Sequence, residues 1–399
     1  MIEYAGSQRA GLDRQRDEAV ALVGLLRSLD WLLVAAIAGL LTVGLWAVSG
    51  VTRFDNVHNP SYFLNRQIAY VSVGVIALAL ALVINPDFYR RYWRAIFFGA
   101  VGIIIIVFLG GGHTARGSTR WIAVGPFTFQ PSEFGKLLFV LSIAGFLANG
   151  ARRVSNVATT LRVLGLGAIP VVLVFAQPDL GTALVYLAAL AAMLFVCGTP
   201  WRHLAALGTV AVLVVVAVLW AGPAVGLNFL HGYQKARLTC FVHPQHCTVD
   251  ARYNLEQSIA AVGSGQLNGR GVNNATQTRL NFLPEHGTDF VFASFSEQRG
   301  FVGDSLLLAL YLLVLWRGLR VVTIARDIYS AIVAGGIVVA LVFQIFINVG
   351  MTMGIAPITG IPLPFVSVGG SSMIANLAAM GVLLAIYARG RAARTSRRR

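Results

Sequence analysis

The stretch Leu283-Pro284-Glu285-His286-Gly287-Thr288-Asp289-Phe290 sets two carboxylates in a loop flanked by strongly apolar sequence. Acids beside bilayer segments are costly, and they mark function unless they are paired. Asp289 follows a proline-containing turn and precedes the apolar run Phe290-Val291-Phe292-Ala293, which is expected to dip toward the bilayer and leave the acid partly desolvated. An acid so placed can take a proton from a substrate hydroxyl as a general base. It can equally cap a helix, since Thr288 and Asp289 stand where one could begin. Glu285 fits three roles: a metal ligand, a group that orients an arginine, or a solvated loop acid. A base that stays ionised there needs a cation nearby, and Lys136, Arg237 and Arg279 are the candidates.

A second pair of charges lies at the start of an apolar stretch. Glu133 and Lys136 are three residues apart, on one face of one helical turn. Lys136 is one of two lysines in a chain with twenty-nine arginines. An ammonium at the membrane boundary costs several kcal/mol unless paired. The pair is either structural or holds Lys136 toward an anionic group. Ser132 is a candidate N-cap for the same helix. Asp179, between Pro178 and Gly181, reads as ordinary turn chemistry.

Composition sets the elements that must position these groups. Of 399 residues 57% are hydrophobic and 12% charged, about half the charged share of a soluble domain. A membrane-spanning helix needs roughly 20 apolar residues. Ten stretches come near that, at about 30–51, 64–85, 93–110, 133–149, 161–176, 180–197, 203–222, 301–322, 328–352 and 371–388. The expected fold is therefore an all-α integral membrane protein of about ten spans (30–390), between an N-terminal tail (1–29) and a basic tail (391–399). Arginines cluster before the first stretch, at Arg90, Arg91 and Arg94, at Arg152, Arg153 and Arg162, at Arg202, at Arg317, Arg320 and Arg326, and from Arg389 to the end. With ten spans all fall on one side, which the positive-inside rule makes cytoplasmic, both termini included. The net charge of +15 is thus divided among short loops and tails, as topology signals and contacts to anionic lipid heads. No nucleic-acid partner is expected.

Three stretches remain for the outer face, about 111–132, 223–300 and 353–370, and the middle one is too long to be a connector. It carries Gly263, Gly265, Gly269 and Gly271, which either make turns or cradle a phosphate on backbone amides, with Gln257, Ser264 and Arg270 alongside. Cys240 and Cys247 flank His243 and His246. Two loop cysteines facing an oxidising compartment most often form a disulfide, with a tight zinc site as the alternative. Cys197 reads as a core residue. Arg120-Trp121 reads as an interfacial anchor, or as a contact to a lipid head or sugar.

Gly117 with Arg120-Trp121, then Gln130-Pro131-Ser132-Glu133 and Lys136, resembles a signature of the SEDS family, the polytopic glycosyltransferases of shape, elongation, division and sporulation. Further signatures follow in order: Gln177-Pro178-Asp179-Leu180-Gly181-Thr182, the glycine-rich segment from Gln257 to Gly271, the segment around Asp289, and Pro357 to Ser372 with Thr359-Gly360, Leu363-Pro364-Phe365 and Gly369-Gly370-Ser371. The run from Ala275 to Glu285 is more similar to the elongation branch, RodA, than to the division branch, FtsW. Three positions depart from the pattern: Gly287 where a histidine is usual, with His286 one place upstream; Glu297-Gln298 for a Glu-Glu pair; and Val368 for an aromatic.

The resemblance implies polymerisation of lipid II at the outer face of the bacterial cytoplasmic membrane, with Asp289 as general base. It implies substrate contacts from Lys136, Glu133, Arg237, Gln257, Ser264, Glu285 and Arg120, a divalent cation (Mg or Mn), and a class B penicillin-binding protein as transpeptidase partner. Glycan on undecaprenyl pyrophosphate is the expected second substrate, and a groove between helices should hold the polyprenyl tails. A carrier that flips the lipid-linked precursor is the alternative from another class, although carriers place polar residues at the midplane and open to both faces.

Overall fold

A computed structural model describes Gly24 and residues 27–109, 112–115, 118–124, 127–151, 154–217, 240–241 and 248–396. Asp30 caps α1 (Trp31–Val51), its Oδ1 accepting from the Leu33 amide at 3.2 Å. α2 (Tyr62–Val83), the short α3 (Pro86–Arg91) and α4 (Trp93–Ile105) follow, and α4 tightens into a 3₁₀ turn at Ile106–Leu109. After a small sheet come α5 (Pro131–Gly150), α6 (Val157–Ala176), α7 (Leu180–Val196) and α8 (Trp201–Val216). The long segment after α8 contributes α9 (Val249–Ser264) and α10 (Thr276–Arg279), and α11 (Val291–Ile324), α12 (Ile328–Thr352) and α13 (Gly370–Ser396) follow.

Among the described residues seven helices, α1, α2, α5, α6, α11, α12 and α13, are long and apolar enough to cross a membrane. Three shorter apolar helices fall in the remaining expected stretches, α4, α7 and α8. The protein is a multi-pass membrane protein. α5, α12 and α13 form its centre, buried over most of their length, whereas α2 and α6 expose most of theirs. Lipid tails are as apolar as leucine, so small residues and close backbones must hold such a bundle together. α13 lies along α2 in this way: a Cβ on Gly381 would collide with the Leu78 carbonyl, and one on Gly74 with Leu377.

Three features differ from expectation. The stretch before α5 forms a three-stranded antiparallel sheet of β1 (Gly112–Ala115), β2 (Ser118–Val124) and β3 (Phe127–Phe129), so the chain is not purely helical. Strands this short leave too little alternation to stand out in sequence. α13 continues past residue 390 to Ser396, and its arginines cap neighbouring helix ends: Arg389 donates to the Val83 carbonyl at 2.9 Å and Arg394 to that of Thr323. α11 begins at Val291, ten residues before the expected boundary, and breaks at Gly300, where φ is 64° and ψ −167°.

That break organises the segment between α8 and α11. It frees the Glu297 and Gln298 carbonyls and the Phe301 and Val302 amides. The turn after α9 takes up all four: Arg270 and Gly271 amides donate at 2.9 and 3.1 Å, and Gln266 and Leu267 carbonyls accept at 2.8 and 3.1 Å. Glycine is required for this approach. A Cβ on Gly265 or Gly269 would strike the carbonyl of Ser296 or Gln298, and Gly269 and Gly271 have φ of 78° and 75°, which side chains disfavour.

Candidate active site

The Asp289 turn closes on one carbonyl. The Thr288 and Phe290 amides both donate to the oxygen of Glu285, at 3.1 and 3.2 Å, and Thr288 Oγ1 donates to the Glu285 carboxylate at 2.8 Å. Glu285 itself is left-handed, with φ 58°, a conformation that costs a non-glycine residue of order 1–3 kcal/mol and gathers at functional sites. Asp289 is half-buried. The N-cap position of α11 is Phe290, whose side chain makes no capping bond, and Asp289 immediately precedes it. Phe290, Val291, Phe292 and Ala293 are all buried, which gives the turn a firm apolar base.

Glu133 and Lys136 meet in the first turns of α5, Nζ to Oε2 at 2.8 Å, both buried. An acid in a first turn also profits from the helix dipole. The N-cap of α5 is Gln130, with Pro131 at the first helical position, so Ser132 does not cap the helix. The Ser132 carbonyl accepts from Tyr186, and Gln130 Nε2 reaches Asp179 Oδ2 at 3.3 Å. Asp179 caps α7 through the Thr182 amide at 3.1 Å, the turn role expected of it. The ion pair opens on a cavity of about 30 Å³ that Gln344 and Asn376 also line. Gln344 Nε2 is buried without a hydrogen-bond partner.

The remaining predicted residues are more scattered. Gln257 and Ser264 lie on α9, partly buried, and Ser264 Oγ donates to the Ala261 carbonyl within its own helix at 3.0 Å. The amides of Gly265, Gly269 and Gly271 are all committed to carbonyls, those of Val262, Gly265 and Gln298. The glycine segment therefore serves close packing and turns, and a phosphate cradle on those amides is not available. Arg279 donates to the Asn273 carbonyl at 2.8 Å and covers the Phe54 ring. The backbone of Arg120 belongs to β2; Arg237, His243, His246 and Cys247 lie outside the described residues. Cys240 is disulfide-bonded and Cys197 is free.

Glu297 is fully buried and spent on structure, accepting from the Gln277 and Thr278 amides and the Thr278 hydroxyl at 2.8–3.0 Å. Among the described residues no three His, Cys, Asp or Glu side chains group as metal ligands do. No protein cage for the expected divalent cation is formed by them.

His286 binds the site loop to the segment after α1. Its Nε2 lies 2.8 Å from Asp55 Oδ1 and its Nδ1 3.1 Å from the Leu283 carbonyl. Sequence reading gave it no role, and it passed over Gln344, Asn348 and Ser367 as well. A signal was present for two of these: Gln344 and Asn348 are polar residues four apart in an apolar stretch, on one helical face.

A family model described as the cell cycle protein family of FtsW, RodA and SpoVE matches residues 27–392. The chain belongs to this family. It is 36% identical over 378 residues to the probable peptidoglycan glycosyltransferase FtsW of Thioalkalivibrio sulfidiphilus, covering 92% of this chain and 91% of the relative. To the peptidoglycan glycosyltransferase MrdB of Escherichia coli K12 it is 34% identical over 324 residues, 81% of this chain and 85% of MrdB. A solved chain from a peptidoglycan synthase complex, studied for coordination of polymerization and crosslinking, superposes with a TM-score of 0.76 at 28% identity, over 91% of this chain and 98% of that one. This FtsW/RodA/SpoVE member thus shares its fold with that chain from end to end.

Proposed function

We propose that this protein is a peptidoglycan glycosyltransferase that polymerises lipid II at the outer face of the cytoplasmic membrane, with Asp289 as general base. The observation that carries the reading is a half-buried carboxylate in a strained, closed turn above an apolar base, in a family whose relatives bear that activity in their names. An acceptor sugar hydroxyl attacks the anomeric carbon of the donor; the bond to pyrophosphate breaks, pyrophosphate leaves with the electron pair, and the hydroxyl proton passes to Asp289. Base catalysis of this kind supplies about two to four orders of magnitude. Lys136 stabilises the developing charge on pyrophosphate while Glu133 holds it in place.

An apolar groove of about 270 Å³ between α2, β3 and α13, lined by Ala69, Tyr70, Val73, Phe129, Phe134 and Ile374, suits a polyprenyl tail. Ten crossings with both termini cytoplasmic agree with the arginine distribution. The transpeptidase partner, a class B penicillin-binding protein, is supported by the synthase complex that the matched chain belongs to. Identities of 34% and 36% do not separate the two branches, and the RodA-like run from Ala275 to Glu285 favours elongation.

The deciding experiment is lipid II polymerisation by purified protein in detergent, where no two sides exist. Wild type should make glycan strands, and Asp289→Asn should lose at least about 100-fold at normal yield. Asp289→Asn activity within a few-fold of wild type removes the base. Precursor flipping by reconstituted protein, with no polymer made even beside the transpeptidase, turns the reading toward a carrier.

A further inference from the structure

Three consecutive carbonyls of the site turn are each held by a different donor from elsewhere in the chain. Gly287 O accepts from the Val368 amide at 2.9 Å, Thr288 O from Ser367 Oγ at 2.6 Å, and Asp289 O from Asn348 Nδ2 at 2.9 Å. The two side chains reach further. Ser367 Oγ accepts from the Leu363 amide at 2.8 Å, and Asn348 Nδ2 donates its second hydrogen to Ile361 O at 2.7 Å. Each ties the turn to the last outer loop, residues 353–369. That loop is fixed from behind: Gln67 Nε2 donates to Ser367 O at 3.1 Å, Tyr311 donates to Pro364 O, and Phe365 is left-handed with its carbonyl packed on Gly44.

Holding the fold does not call for this arrangement. Carbonyls of an outer turn can take water instead. Asn348 is wholly buried in an apolar helix and its Oδ1 has no partner, a cost carried beside the two carbonyls that its Nδ2 satisfies. Local conflict with stability of this kind is expected where a residue serves a site.

We propose that Asn348 and Ser367 are positioning residues for Asp289. By holding the peptide groups on either side of it, they set the direction from which its carboxylate meets the acceptor hydroxyl. The inference rests on the reading of Asp289 as general base. Misplacing a reacting group by about 1 Å can cost about 100-fold in rate, so loosening the turn should act on kcat.

The test uses the full chain with its transpeptidase partner and measures kcat and KM for lipid II beside the melting temperature. Ser367→Ala and Asn348→Leu should each lower kcat about 10- to 100-fold, with KM within about twofold, while the melting temperature falls by no more than about 4 °C. Ser367→Thr, which keeps the donor, should recover most of the loss. If Asn348→Leu does not fold, Ser367→Ala decides alone, because its carbonyl can turn to water. A kcat within about threefold of wild type, or a loss that Ser367→Thr shares, overturns the proposal. An inactive Asp289→Asn beside active clamp variants removes this inference alone, whereas an active Asp289→Asn removes the base and the clamp together.

Discussion

Two buried ion pairs in this protein are built in opposite ways. At one end of the bundle Arg317 meets Asp30 through Nε at 2.8 Å and Nη2 at 2.5 Å, while the other Asp30 oxygen caps α1. Every strong acceptor site is used, and the guanidinium is anchored on two bonds. At the other end Lys136 has three ammonium hydrogens and, among the described residues, one partner, Glu133. The cavity at its side is shared with Gln344, whose Nε2 is likewise unmatched. Burial of a charge is tolerated when its hydrogen bonds are complete. The completed pair reads as structure. The incomplete one is the pair to which the proposed function gives the leaving pyrophosphate.

The largest effect should come from testing that difference directly. Lys136→Met and Glu133→Gln should each abolish polymerisation, and the double variant, which leaves no unpaired charge, should stay at least about 100-fold down while folding normally. The double variant Asp30→Asn with Arg317→Met should keep its activity per folded molecule within a few-fold. Recovery of activity in the Lys136→Met, Glu133→Gln protein would make both pairs structural and end the comparison.

A smaller but sharper effect concerns stability. Arg317→Met alone leaves Asp30 charged and buried, and should cost about 3–5 kcal/mol by denaturant or thermal unfolding. Adding Asp30→Asn should return roughly half, because asparagine still caps α1 but carries no charge. Equal stability of single and double variants would mean that the charge of Asp30 is met by something other than Arg317.

These contrasts also explain what could be read in the sequence. The apolar stretches were legible because each is a long run of one residue class, and the Glu133–Lys136 contact because its three-residue spacing is local. The Asp289 turn stood out by its acids. What held it could not be seen: Ser367, Asn348 and Asp55 reach the turn from 59 to 231 positions away, and no local period encodes that. The same holds for the departures at Gly287 and Val368, which share a hydrogen bond and pack closely, so that a Cβ added to Gly287 would lie 3.6 Å from Val368 Cγ2. They read as separate oddities in sequence and are one site in space. The close packing of the glycines after α9 was hidden for a related reason, since Gly265, Gly269 and Gly271 meet a break in a helix about thirty residues later.

A further ion pair, His286 with Asp55, lies between these two in character, complete like the first but able to titrate. Both ring nitrogens face acceptors, the Asp55 carboxylate at 2.8 Å and the Leu283 carbonyl at 3.1 Å, an arrangement that favours the protonated ring, in which both nitrogens donate. Burial pulls its pKa down, but the Asp55 hydrogen bond and charge, helped by the Leu283 carbonyl and Glu285, outweigh burial and leave it above the usual value. A histidine raised in the folded state stabilises fully below its unfolded pKa of about 6.5, and the contribution fades as pH climbs through the higher folded value. Stability of the purified protein should therefore fall by on the order of 1 kcal/mol as pH rises from that point, with melting temperature as the readout. Asp55→Asn should flatten the slope at the same detergent and salt. A slope of the opposite sign, or one that Asp55→Asn leaves intact, would show that the imidazolium does not tether the site loop, and the turn would then depend on its three held carbonyls alone.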